Sequence, residues 1–147
     1  MAINERTMKA TPDQVWDVLA DGWLYPLWVV GASRMREVDR DWPAVGAQLH
    51  HSIGVWPLLV DDSTEVVDAK PGHQLTLHAR ARPTGVAAVR ITLEPVGSET
   101  TVVIEEDALS GPARFVPRLL RDPALTWRNV ESLRRLAFLA ERRSARV

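Results

Sequence analysis

The stretch DPALTWRNVESLRRLAFLAERR, residues 122–143, decides the architecture. At about 100° per residue, Thr126, Asn129, Val130, Leu133, Leu136, Ala137 and Ala140 share one face of a helix. Arg128, Glu131, Arg135 and Arg142 share the other. The spacing predicts a single amphipathic helix from Asp122-Pro123 to Arg143. It follows an almost unbroken run of alternating sequence. A twisted antiparallel sheet with one long helix laid across it encloses a space that neither element makes alone, and function is expected there.

Outward from that helix, the period is two from Ala32 to Leu109. Strands are expected at Ser33–Asp39, Ala47–Val55, Leu58–Ala69, Gln74–Ala81, Ala87–Pro95 and Thr100–Ala108. The breaks between them carry turn chemistry: Trp42-Pro43 with Gly46, Gly54 with Pro57, Pro71-Gly72, Pro83-Thr84-Gly85 and Gly97-Ser98. Such short breaks imply antiparallel hairpins, because parallel pairing needs crossovers of about a dozen residues or more. Gly111-Pro112 stops the sheet, and Phe115 to Leu120 is expected to form a separate short helical turn.

At the other end, Ile3 to Met8 reads as a first strand. Thr11, Pro12 and Gln14 have the spacing of a helix cap, first-turn proline and capping box. Val15, Val18 and Leu19 form the buried stripe of that helix, which Asp21-Gly22 ends. Trp23 to Val30 reads as a short helix and turn leading into the sheet.

A chain of 147 residues fits one domain, 1–147, large enough to bury about 68–70% of its unfolded surface. A net charge of −1 gives no electrostatic case for nucleic acid or an acidic membrane. The arginines of the last helix suit the negative end of its dipole and a solvated face. With no cysteine there is no disulfide framework, thiolate nucleophile or cysteine metal knuckle. No apolar run approaches the ~18 residues of a membrane span, and the N-terminus lacks the layout of a signal peptide. A cytoplasmic protein without a cofactor is expected.

Strand parity separates inner from outer side chains. Leu75 and Leu77 share a face, as do Val89 and Ile91, while His78, Arg80 and Arg90 point the other way. Three rows carry polar exceptions: Glu106 stands with Val102 and Ile104, His51 with Leu49, and Asp62 and Thr64 with Val66. An acid in an inward row must pair, sit at a wet rim or keep a raised pKa. An inward histidine is more often a hydrogen-bonded core residue than a catalyst. Among six tryptophans, Trp16 and Trp42 read as core or loop anchors, and Trp28, Trp56 and Trp127 as walls or mouth of the space. The expected ligand-binding set is therefore Trp28, Trp56, Asp62, Thr64, Leu75, Leu77, Val89, Ile91, Trp127, Asn129 and Leu133. Trp127 with Phe138, or the outer sheet face, leaves a homodimer open.

The order strand, two short helices, six strands and long C-terminal helix resembles the START-like superfamily, also called SRPBCC, of polyketide cyclases/dehydrases and lipid-transfer proteins. The similar segments are Thr11-Pro12-Asp13-Gln14-Val15-Trp16-Asp17-Val18-Leu19, Pro43-Ala44-Val45-Gly46-Ala47, residues 66–75, Thr101-Val102-Val103-Ile104-Glu105-Glu106 and residues 128–136. The resemblance covers essentially the whole chain. It implies an α+β helix-grip fold, a curved antiparallel sheet of six to seven strands around the C-terminal helix over a hydrophobic cavity. It implies no shared catalytic set, so no functional residue is carried over.

Two functions follow as expectations. The first is binding of a small hydrophobic or aromatic molecule, lipid or polyketide-like, in the cavity. The second is cyclase/dehydrase chemistry, which needs a base for a proton alpha to a carbonyl and a donor for the enolate. His51 and Glu106 are the candidate acid and base, with Asp62 or Thr64 orienting a water or hydroxyl. The residues leave open whether the chain is an enzyme. A metal site is disfavoured, because adjacent pairs such as His50-His51 and Asp61-Asp62 point to opposite faces of a strand.

Overall fold

The computed structural model describes residues 2–53, 60–81, 85–110, 115 and 117–145. Trp56, the turn expected around Gly54 and Pro57, and Pro83-Thr84 lie outside the described residues. Seven strands form one antiparallel sheet: β1 (Ala2–Met8), β2 (Ala32–Val38), β3 (Gln48–Ile53), β4 (Val60–Lys70), β5 (Gln74–Ala81), β6 (Gly85–Val96) and β7 (Glu99–Ser110). Their order is β1-β7-β6-β5-β4-β3-β2, so consecutive strands are neighbours and only β1 crosses, to pair with β7. Four of the expected turns carry positive-φ glycines, Gly46, Gly72, Gly85 and Gly97, among them Gly72 at φ 76° and Gly97 at φ 61°, where a side chain would be strained.

The helix α1 (Pro12–Ala20) begins as its sequence dictates. The Thr11 hydroxyl accepts from Gln14 N–H at 3.3 Å, and the Gln14 side chain accepts from Thr11 N–H at 2.9 Å. Val15, Val18 and Leu19 are buried. Asp21 then caps a single 3-10 turn, Gly22–Leu24, which runs into α2 (Tyr25–Trp28). Gly22 does more than end α1. A Cβ there would stand 2.5 Å from Leu49 Cδ2 and 2.8 Å from Val38 Cγ1. Gly22→Ala is therefore expected to cost about 1–3 kcal/mol through overpacking, read as a lowered denaturation midpoint. An unchanged midpoint would show that Leu49 and Val38 yield freely.

The closing helix α3 spans Arg118–Ala145, so it starts earlier than Asp122 and absorbs residues 118–120 of the separate turn expected there. Pro123 lies inside it, near the N-terminal end, where only one backbone hydrogen bond is lost. Its rotation also differs from the sequence reading. Asn129, Ser132, Leu133, Leu136, Ala137 and Ala140 are buried, whereas Val130 and Thr126 are exposed. The buried arc is turned toward Ser132 and away from Val130. Ser132 gains a role by this turn, accepting a hydrogen bond from Val30 N–H at 3.1 Å. α3 packs against β1, α1 and α2. With α1 and the inner face of the sheet it closes a core that includes Met8, Val66, Leu93 and Val102.

Candidate functional site

The inward rows meet beneath α2 and the first half of α3. β7 supplies Glu106, β3 supplies His51 and β4 supplies Thr64, all buried as their parity requires. In the antiparallel register His51 stands opposite Asp62 and Glu106 opposite Val89. Two adjoining cavities lie between these strands and the helices. One, of about 70 Å³, is bordered by Trp28, Leu77, Val89, Ile91, Glu106 and Asn129. The other, of about 80 Å³, is bordered by His51 and Thr64. Tyr25, Val29, Ala79 and Arg128 line both, so the two meet at these residues.

Two polar groupings face this space. In the first, His51 Nε2 lies 2.8 Å from Thr64 Oγ1, which lies 3.4 Å from the Tyr25 hydroxyl. The Tyr25 ring stacks on the His51 imidazole, centroids 5.6 Å apart at 25°, and meets Trp28 edge-on at 5.6 Å. Burial pushes the His51 pKa down, against the raising effect of Asp62 and with smaller help from Arg36 and His50. The imidazole is thus neutral over a wider pH range than usual. Burial likewise pushes the Tyr25 hydroxyl up, opposed by Thr64 and Arg128 and assisted by Glu106, and keeps it protonated.

The second grouping is an ion pair, Arg128 Nη2 donating to both oxygens of Glu106. The Glu106 side chain is 2% exposed and the Arg128 side chain 38% exposed. Burial raises the Glu106 pKa and outweighs the lowering effect of Arg128's charge and hydrogen bonds. Beside the pair, Asn129 is buried and its Nδ2 lacks a partner among the described residues. His51 Nδ1 is likewise buried without one. A buried polar atom left unbonded is costly, so both are places where a ligand's polar atoms gain most.

The sequence-derived candidates divide accordingly. His51, Glu106, Trp28, Thr64, Leu77, Val89, Ile91 and Asn129 border the cavities. Leu75 and Leu133 are buried in the core and border neither. Asp62 is buried opposite His51 in the register and borders neither cavity, its Oδ1 accepting from Ser63 N–H at 2.9 Å. Trp127, expected at a wall or mouth, is 67% exposed and borders neither of these two cavities. Arg128 is the reverse case. Helical projection puts it on the solvent side, yet it lies one turn before buried Ser132, and its long side chain reaches inward to Glu106. Tyr25, the only tyrosine in the chain, lies within the tryptophan-rich segment, and no periodicity there marks it as a site residue.

A curved antiparallel sheet folded round a long C-terminal helix, over an internal space with a few buried polar groups, is the helix-grip architecture. The chain belongs to the polyketide cyclase/dehydrase and lipid transport family, whose sequence model matches residues 4–141. Among solved structures it is similar to a protein from Nitrosomonas europaea, at TM-score 0.71 and 17% identity over 97% of this chain and 95% of that one. It is also similar to the di-domain ARO/CYC StfQ from the steffimycin biosynthetic pathway, at TM-score 0.73 and 12% identity over 98% of this chain and 52% of StfQ. DynU16, of the dynemicin biosynthetic locus, aligns at TM-score 0.66 and 20% identity over 95% of this chain and 46% of its own. At these identities the likeness is one of fold. A search of curated proteins finds no match. Among the described residues no helix is long and apolar enough to cross a membrane.

Proposed function

We propose that the chain binds a small hydrophobic or aromatic molecule, with at least one polar group, in the space beneath α3. The observation that carries this reading is the pairing of two adjoining cavities with two buried polar atoms, His51 Nδ1 and Asn129 Nδ2, that lack protein partners among the described residues. Apolar walls from β5 and β6 supply the burial, and the polar atoms fix orientation. Trp28 is buried at the first cavity, so its emission reports occupancy. Titration with a panel of neutral aromatic ketones, phenols and fatty acids should give a saturable change in tryptophan emission with at least one of them. That change should shrink markedly in Trp28→Phe. A folded sample that responds to no member would overturn the reading.

A cyclase/dehydrase-type activity is the second reading, favoured by Glu106 and His51 each bordering one of two adjoining cavities that share Arg128. A carboxylate with a raised pKa, or a neutral imidazole, is suited to take a proton alpha to a carbonyl near neutral pH. Arg128 and Asn129 Nδ2 would donate to the enolate oxygen as charge develops. The names of StfQ and DynU16, both tied to biosynthetic loci or pathways, support this reading by likeness of fold alone.

A further inference from the structure

Arg128 is the residue common to both cavities that carries a full charge, and its use is incomplete. Both of its bonds to Glu106 leave from Nη2, and no described residue takes Nη1 or Nε. A guanidinium presents five N–H donors in a planar fork matched to a carboxylate. Asn129 Nδ2, buried and unpartnered, borders the same cavity. The first cavity therefore offers unused donors from both Arg128 and Asn129. The site's free volume is small: a cavity of about 150 Å³ is known to hold one benzene, and here two lobes of about half that size adjoin.

We propose that the ligand is a single-ring or similarly short organic acid whose carboxylate takes Arg128 and Asn129 Nδ2, and that Glu106 gains a proton when it binds. This deepens, and rests on, the reading of the cavity as a binding site. The proton follows from charge. One guanidinium cannot neutralise two carboxylates in a buried place, and two close carboxylates share a proton rather than both ionise. Protonated Glu106 then donates its O–H to the incoming carboxylate. The groups facing Glu106 are Arg128 from α3 and Tyr25 from α2, with His51 of β3 at the adjoining cavity. Burial holds Tyr25 protonated and favours the neutral form of His51, so Glu106 is the group that takes up the proton. Its neighbours Glu105 and Asp107 alternate to the opposite face of β7, where Glu105 meets Arg90.

Calorimetry of the full chain with sodium benzoate, benzamide and 2-naphthoate tests this, run from pH 6 to 9 in buffers of different ionisation enthalpy. Benzoate should bind one per chain, more tightly than benzamide, and 2-naphthoate at least about tenfold more weakly, since a second fused ring exceeds the space. The benzoate Kd should rise as pH rises, approaching about tenfold per unit once Glu106 is ionised in the free chain, with uptake approaching one proton. In Glu106→Gln that uptake and slope should vanish. A benzoate affinity that is flat from pH 6 to 9 overturns the proposal without need of any variant. Binding of benzamide or a neutral ketone without benzoate overturns it too, but leaves the cavity a binding site. Silence from every compound, neutral ones included, removes both.

Discussion

Arg128→Met is expected to lower stability by about 3 kcal/mol at pH 8, because it leaves the Glu106 carboxylate buried without its cation. The same substitution should cost far less at pH 5. Glu106 has a folded pKa above its unfolded one, so the folded chain holds the proton more tightly. Stability from this group is fullest below the ordinary carboxylate range and falls as pH rises toward the raised folded value. Without the guanidinium that folded value climbs further, so the loss runs on to higher pH and grows deeper. Denaturant midpoints of both proteins at pH 5 and pH 8 check this. The unfolded histidines, and His51 in particular, also titrate in this window, but they cancel in the comparison with the parent chain. Adding Glu106→Gln to Arg128→Met should restore most of the deficit. A deficit equal at both pH values would assign the effect to lost packing rather than charge.

Ile91→Ala is the other large effect, about 2–5 kcal/mol. Ile91 is fully buried, stands opposite Ile104 and Leu75 in the sheet register, and borders the first cavity. Removing three carbons forfeits their burial and adds to a space the surrounding sheet cannot close. The loss should come with a gain. If the site takes single-ring molecules for want of room, the enlarged cavity should narrow the gap between 2-naphthoate and benzoate. Thermal denaturation measures the first consequence and calorimetry the second. A fall in stability with an unchanged ratio would show that ring size is limited elsewhere along the wall.

Much of the molecule was legible in the chain because its signals are local. Thr11, Pro12 and Gln14 specify a helix start among themselves, and the structure forms each of those bonds. The alternation in β5, β6 and β7 tells inner from outer side chains whatever the sheet packs against: Leu77 and Glu106 are buried, and half-buried Val89 packs against the core. Gly22 was read only as a stop. The Leu49 and Val38 side chains that exclude a Cβ there come from strands far along the chain, and no local pattern marks them.

The sequence by itself determined the seven-stranded sheet's inward rows, the capped first helix and the long amphipathic closing helix, since side-chain periodicity reports direction within one element. Only the tertiary structure decided how α3 is turned about its axis. A modest rotation of that helix moves Val130 to solvent and brings Ser132 and Arg128 in, without changing the pattern at all. The meeting of Arg128 with Glu106, 22 residues apart, depends on that turn, and the meeting of Tyr25 with Thr64 and His51 depends on how α2 lies against β3 and β4. So does the volume left between them, because a cavity is the difference between what the elements enclose and what their side chains fill.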